Sequence, residues 1–253
     1  MTAPELPQAG RVALVTGASR GIGAAIARQL AAEGALVYVN YRERGESAEA
    51  LVNEIGEAGG RAVTVRGSVA DSAAVGEMFA RIRAESGRLD LLVNNAAIVA
   101  DRLVGLTTDR DWRQVIDTNL DGVFHCCRSA VRLMMARRFG RIVNLGSIGG
   151  LTGAAGQASY AASKAALVAF TRSLAFEVGP LNIRANCVIP GVIGTEMVGA
   201  MPMEKRRLFE EQTALKRIGR PEEVAAATCF LLSDAASYIQ GASLVVDGGL
   251  VHG

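Results

Sequence analysis

The sequence predicts an α/β fold: a doubly wound parallel sheet with helices on both faces, built as one domain. Three observations carry that reading. Short, nearly continuous Val/Ile/Leu runs alternate with longer Ala-rich segments of helical periodicity, and strands covered on both faces read as unbroken apolar runs. A glycine-rich turn follows the first of these runs directly. No linker or composition shift divides the 253 residues, a length that suits one large α/β domain with an ample core.

Taken in order, residues 12–16 (VALVT) form the first strand, followed by Gly17-Ala18-Ser19-Arg20-Gly21-Ile22-Gly23 and a helix to about Ala32 that Gly34 ends. Residues 36–39 form the second strand, completing within one short stretch the strand–turn–helix–strand unit of a Rossmann-type dinucleotide site. The pattern then repeats: helix 47–58 before strand 62–65, helix 73–85 before 89–93, helix 111–135 before 141–145, and helix 160–178 before 183–188. A last helix over 221–232, capped ahead by Gly219, leads to a last strand over 243–246. The irregular stretch 191–216 carries Met197, Met201 and Met203 beside Glu204-Lys205-Arg206-Arg207. It reads either as a substrate lid or as a loop packed at a subunit contact.

Composition narrows the class. No apolar run approaches the ~18 residues of a membrane span, and the first ten residues are polar, so no signal peptide is expected. A formal net charge of +2 argues against nucleic-acid binding as the main business. Cys126, Cys127, Cys187 and Cys229 show no Cys-x-x-Cys spacing and no cluster of histidine ligands, so neither zinc nor disulfides are expected. Reduced, buried thiols in a cytoplasmic protein follow. His125 and His252 read as structural or solvated, and Trp112 as core.

Glycines in the first βα turn let a pyrophosphate approach the backbone, and the helix N-terminus supplies free N–H groups to it. The spacing here is G-x-x-x-G-x-G. NAD sites usually place a carboxylate about 20 residues on, at the second strand's tip, to hold the ribose 2′-hydroxyl. This chain has Val39-Asn40-Tyr41-Arg42 there. With no acid at the tip, and with Arg20 and Arg42 available to a 2′-phosphate, NADP(H) is expected, although Glu43 lies close by.

Tyr160 and Lys164 stand four apart in the long Ala/Leu-rich helix, so they share a face. An ammonium ~4 Å from a phenol, at an effective dielectric of about 20, favours the phenolate by about 4 kcal/mol. That corresponds to about three pKa units, enough to bring a tyrosine toward neutrality and make it a proton donor or acceptor at working pH. Ser147 lies thirteen positions before Tyr160. Taken alone, it reads as an N-cap or turn residue.

With these residues in hand, the chain resembles the short-chain dehydrogenases/reductases over essentially its whole length. The motifs appear in order: Thr16-Gly17-x-x-x-Gly21-Ile22-Gly23, Asn94-Asn95-Ala96, Asn119, Ser147, Tyr160-x-x-x-Lys164 and Pro190-Gly191. Arg141-Ile142-Val143-Asn144, Gly156-Gln157-Ala158-Ser159-Tyr160, Gln240-Gly241 and Val246-Asp247-Gly248-Gly249 are most similar to the 3-oxoacyl-[acyl-carrier-protein] reductase branch. The resemblance implies NADPH-dependent reduction of a 3-oxoacyl thioester to the (3R)-hydroxyacyl thioester. The alternatives are another small or cyclic carbonyl or alcohol on the same fold, and a non-catalytic dinucleotide-binding regulator. It further implies that Tyr160 protonates the carbonyl oxygen and that Ser147 polarises it. Lys164 would lower the Tyr160 pKa and hold the nicotinamide ribose, and Asn119 would hold a water linking Lys164 to solvent. Gly17, Ser19, Arg20, Gly21, Ile22, Gly23 and Arg42 would surround the adenosine phosphates, with Ser68 and Val69 beside adenine. Asn95 would line the nicotinamide, and Pro190, Gly191, Ile193 and Thr195 would meet its carboxamide. A homotetramer is implied, burying helices 111–135 and 159–178 and the last strand. Three positions depart from the family pattern: Ala97 where glycine is usual, Ser68 where Asp or Asn is usual, and Leu181 at one of two basic carrier-docking positions. Arg138 matches the other, with Arg137 beside it.

Overall fold

The computed structural model describes residues 6–199 and 201–251. Seven strands form one parallel sheet in the order β3-β2-β1-β4-β5-β6-β7. In chain order the strands are β1 (Val12–Val15), β2 (Leu36–Tyr41), β3 (Arg61–Arg66), β4 (Leu91–Asn94), β5 (Gly140–Leu145), β6 (Ile183–Pro190) and β7 (Ser243–Val246). The helices are α1 (Gly21–Ala32), α2 (Gly45–Glu57), α3 (Ser72–Ser86), α4 (Asp109–Ile116), α5 (Gly122–Met135), α6 (Gly149–Thr152), α7 (Ala158–Val178), α8 (Glu196–Gly199), α9 (Met203–Gln212) and α10 (Pro221–Leu232).

Alternating side chains along each strand feed two separate cores, as the period of two requires. Ala13, Val15, Val37, Val39 and Val143 pack with α1, α2 and α10 on one face. Leu14, Tyr38, Leu92 and Ile142 pack with α3, α5 and α7 on the other. All strand-pair registers are parallel, from Val12 against Leu36 to Pro190 against Val246, so every strand ends on the same edge. The order reverses between β1 and β4, and a sheet of this kind opens a crevice at that point, beyond the strands' carboxyl ends.

Local chemistry sets the helix ends. Asp71 accepts the N–H groups of Ala73 and Ala74 at the start of α3, and Gly87 closes it in the left-handed region at φ 67°. Thr108 and Asp111 form a reciprocal capping box on α4. Ahead of α10 the cap is Arg220 followed by Pro221, not Gly219. The expected single helix over 111–135 is two helices, α4 and α5, joined by a π turn at Asp117–Asp121. Such bulges mark functional sites more often than ordinary helix does. Trp112 is 40% exposed rather than core, since it lies on the outer side of short α4. His125 is half-buried, its Nδ1 3.2 Å from the Val69 carbonyl oxygen, and His252 lies outside the described residues. The four cysteines are buried and free, and burial pushes the Cys126 thiol up to about 12 and Cys187 to about 11. No helix among the described residues is long and apolar enough to cross a membrane.

Candidate active site

A cleft of about 590 Å³ opens at the carboxyl edge of the sheet. Of the residues expected at the site, all line this cleft except Gly23 and Asn119, which lie behind its wall.

The glycine turn is held by contacts that a side chain would destroy. Gly17 has φ +60°, and a Cβ there would come 2.8 Å from Ala96 Cα. A Cβ on Gly23 would come 2.5 Å from Asn95 Nδ2 and 2.7 Å from the Gly17 carbonyl oxygen. Asn95 Nδ2 donates to the carbonyls of Thr16 and Gly17, at 2.9 and 3.0 Å. The Thr16 hydroxyl accepts the N–H groups of Asn95 and Ala96. Asn95 thus stitches β1 to β4 as well as facing the cleft. Asn40, at the tip of β2, is buried: its Oδ1 accepts the Gly17 N–H at 3.1 Å and its Nδ2 reaches the carbonyls of Val65 and Gly67. One side chain near the tip of β2 is therefore turned inward to brace the turn. A bare backbone turn opening into α1, with cationic side chains beside it, fits a dinucleotide pyrophosphate.

At the other end of the cleft, β5 runs into Gly146 and Ser147. The Gly146 N–H bonds to Val188 O at 2.7 Å and the Ile148 N–H to Pro190 O at 3.0 Å, so Ser147 is fixed by β6. Its Oγ accepts the Gly149 N–H at 3.1 Å. Helix α6 then presses on α7: a Cβ on Gly150 would come 2.8 Å from the Lys164 carbonyl carbon. That close approach sets Ser147 opposite Tyr160. Lys164 is buried, its ammonium donating to Leu145 O at 2.6 Å and lying 5.8 Å from the Tyr160 ring centroid.

This geometry corrects the electrostatic expectation. Lys164 lies under the ring, tied to β5, and burial outweighs its pull toward the phenolate. Burial raises the Tyr160 pKa above 10, while the Ser147 hydroxyl works the other way and Asp101 adds to the rise. Burial lowers Lys164 from 10.5 to about 8, with the nearby Cys187 opposing. Asn119 is held by the loop after β4. Its side chain pairs with both the N–H and the carbonyl of Ile98, at 2.8 and 2.9 Å, and donates to Ser163 Oγ at 3.2 Å. It pins the loop after β4 to the π turn and to α7.

The three departures resolve differently. Ala97 is outside the left-handed region and exposed toward the cleft, so its methyl crowds nothing. Ser68 lines the cleft beside Val69. Arg138 is strained at φ 47°, its guanidinium donating to Pro180 O at 2.8 Å while Asn182 holds its carbonyl. That arrangement is a structural brace next to Leu181.

Three charged residues, Arg44, Glu196 and Asp101, went unnoticed in the sequence. Arg20 pairs with Glu196 at 2.5 Å, and Arg44 reaches the same Glu196 oxygen at 3.3 Å. Arg42 pairs with its neighbour Glu43 at 2.8 Å. Asp101 accepts from Gln157 Nε2 at 3.0 Å, docking its loop on the start of α7. Apart from the adjacent Arg42 and Glu43, only the fold brings these residues together, across as many as 176 positions.

The glycine cradle and the Ser147–Tyr160–Lys164 group on one parallel sheet define a nicotinamide-dependent oxidoreductase. Comparison with known proteins agrees. A family model described as enoyl-(acyl carrier protein) reductase matches residues 17–251. The 3-oxoacyl-[acyl-carrier-protein] reductase of Escherichia coli is 44% identical over 241 residues, covering 95% of this chain and 97% of that protein. The enzyme of the same name from Staphylococcus aureus is 43% identical over 238 residues, covering 94% and 97%. The chain belongs to the short-chain dehydrogenase/reductase family.

Proposed function

We propose that the protein reduces the ketone of a 3-oxoacyl thioester to a (3R)-hydroxyacyl thioester with NADPH, and that residues 191–216 form a lid over the substrate end. The observation that carries the reading is the convergence of the Ser147 and Tyr160 hydroxyls above a buried Lys164 in a cleft that also holds the glycine turn. When bound, the nicotinamide supplies a hydride. The chain's own part is the oxygen. The Ser147 hydroxyl donates to the ketone oxygen and orients it, where negative charge builds as the carbon is reduced. The Tyr160 phenol, kept protonated by burial, hands its proton to that oxygen. Lys164, charged below about pH 8, steadies the phenolate left behind from beneath the ring. Two hydroxyls aimed at one oxygen suit a ketone, whose reduced carbon bears that oxygen. They suit an enoyl double bond less well, because its reduced carbon bears none. The 44% identity to a 3-oxoacyl-[acyl-carrier-protein] reductase across 97% of that relative supports the same choice.

Arg20, Arg42 and Arg44 at the adenosine end, with no carboxylate at the tip of β2, support NADPH over NADH. Met201, Lys205 and Phe209 reach the cleft from the proposed lid. Phe176, 87% exposed on α7, and Val245 on β7 lie on surfaces that a homotetramer would cover. An acyl-carrier protein would approach the rim near Arg137.

The test is steady-state turnover of 3-oxoacyl thioesters of graded length against cyclic and aryl ketones, each with NADPH and with NADH. The reading expects the thioesters with NADPH to give the highest kcat/KM. No rate with any thioester, beside good turnover of a cyclic ketone, would replace it with the other ketone class.

A further inference from the structure

Both arginines at the adenosine end that reach beyond their own neighbours are already engaged, on a single carboxylate. Glu196 Oε2 accepts from Arg20 at 2.5 Å and from Arg44 at 3.3 Å. Arg20 stands at the N-cap of α1, Arg44 at the N-cap of α2, and Glu196 at the start of α8. The carboxylate therefore ties the glycine turn and the tip of β2 to the first residues of the proposed lid. The attachment continues beside it: a Cβ on Gly21 would come 3.2 Å from the Thr195 methyl. Arg42 takes no part, being paired with the adjacent Glu43.

We infer that Glu196 is a specificity-determining residue of the cofactor site: a tethered carboxylate that occupies the arginine pair a 2′-phosphate must engage, so that the phosphate displaces it and frees α8. This rests on the NADPH reading. A phosphate monoester is close to doubly charged above its second pKa of about 6 and offers three acceptor oxygens. It outcompetes a singly charged carboxylate for two guanidiniums. A 2′-hydroxyl is neutral and leaves the Glu196 contacts in place. The carboxylate thus moderates the preference for the phosphate and couples its arrival to the lid. Because Arg20, Arg44 and Glu196 are all about half-exposed, solvent screens the pairs and the contest is mild. The effect expected is about three- to tenfold.

The experiment is calorimetric titration of the full chain with adenosine 2′,5′-bisphosphate and with adenosine 5′-monophosphate, for the wild type and Glu196→Gln. The variant should bind the bisphosphate about three- to tenfold more tightly and the monophosphate within about twofold of wild type. In parallel, trypsin cleavage after Lys205, Arg206 or Arg207 in α9 reads the lid. The bisphosphate should speed cleavage of the wild type, the monophosphate should not, and Glu196→Gln should be cut fast without ligand. A wild type that binds the monophosphate as well as the bisphosphate overturns the NADPH reading and this inference with it. A wild type that prefers the bisphosphate, with a preference unchanged in Glu196→Gln, overturns the inference alone. Protection of α9 by the bisphosphate overturns the release of α8.

Discussion

Cations gather at both ends of the sheet, and the two groups are built differently. Where the strands begin, Arg11, Arg141 and Arg184 surround the loop after α10. Arg11 and Arg141 reach Asp234 at 2.6 and 3.5 Å, and Arg184 donates to the Leu231 and Ser233 carbonyls at 2.8 and 2.7 Å. The Arg141 guanidinium also lies 4.2 Å from the Phe139 ring centroid. Where the strands finish, Lys164 is buried as deeply, yet among the described residues its ammonium donates to Leu145 O alone, and the hydroxyls around it face a cleft. Burial lowers both Arg184, to about 10, and Lys164, to about 8. At the first end the terminal nitrogens of Arg184 are spent on helix-end carbonyls, which is stability, while its buried Nε and that of Arg141 find no partner among the described residues. At the second, donor capacity is left over for a ligand, and the fold bears the cost.

Two substitutions test that contrast, the larger first. Lys164→Met should lower turnover about 100-fold, the range expected when one preorganised charge is lost from a reacting centre, while Tm rises by about 4 °C as a desolvated ammonium disappears. The pH behaviour sharpens this. The folded Lys164 pKa lies near 8, below its ordinary 10.5, so between those values the unfolded chain holds a proton that the folded chain has lost. Stability of the cofactor-free protein should therefore rise with pH across that window, while reduction, for which we propose the ammonium is needed, should fall above about pH 8. Denaturant melts of wild type and Lys164→Met from pH 7 to 10.5 check it; an equal rise in both would remove Lys164 as the cause. Arg184→Met should do the reverse. It strands two helix-end carbonyls and should cost about 3 kcal/mol of stability, with kcat per folded molecule unchanged. A drop in kcat at full folding would mean that the two ends are coupled.

The same contrast explains what could be seen in the chain before its structure. Strand runs such as residues 12–15 and 141–145 and the glycine turn report local backbone and burial, and the sheet followed from them. The break in helix 111–135 did not, because Asn119 leaves the regular helix to pair with Ile98, a contact set by the loop after β4. The i,i+4 spacing put Tyr160 and Lys164 on one face. It could not show that Leu145 O would hold the ammonium under the ring, or that burial would outweigh charge at the phenol. The partners of Asn40, Arg44 and Glu196 were missed for a related reason: they are remote in sequence.

The most direct test is NADPH oxidation with an acetoacetyl thioester by Tyr160→Phe, at cofactor concentrations shown by titration to saturate it. A phenol that delivers the proton predicts a fall in kcat of about 1000-fold, with cofactor affinity and Tm near wild type. A variant that keeps its binding and turns over within tenfold of wild type would contradict the assignment.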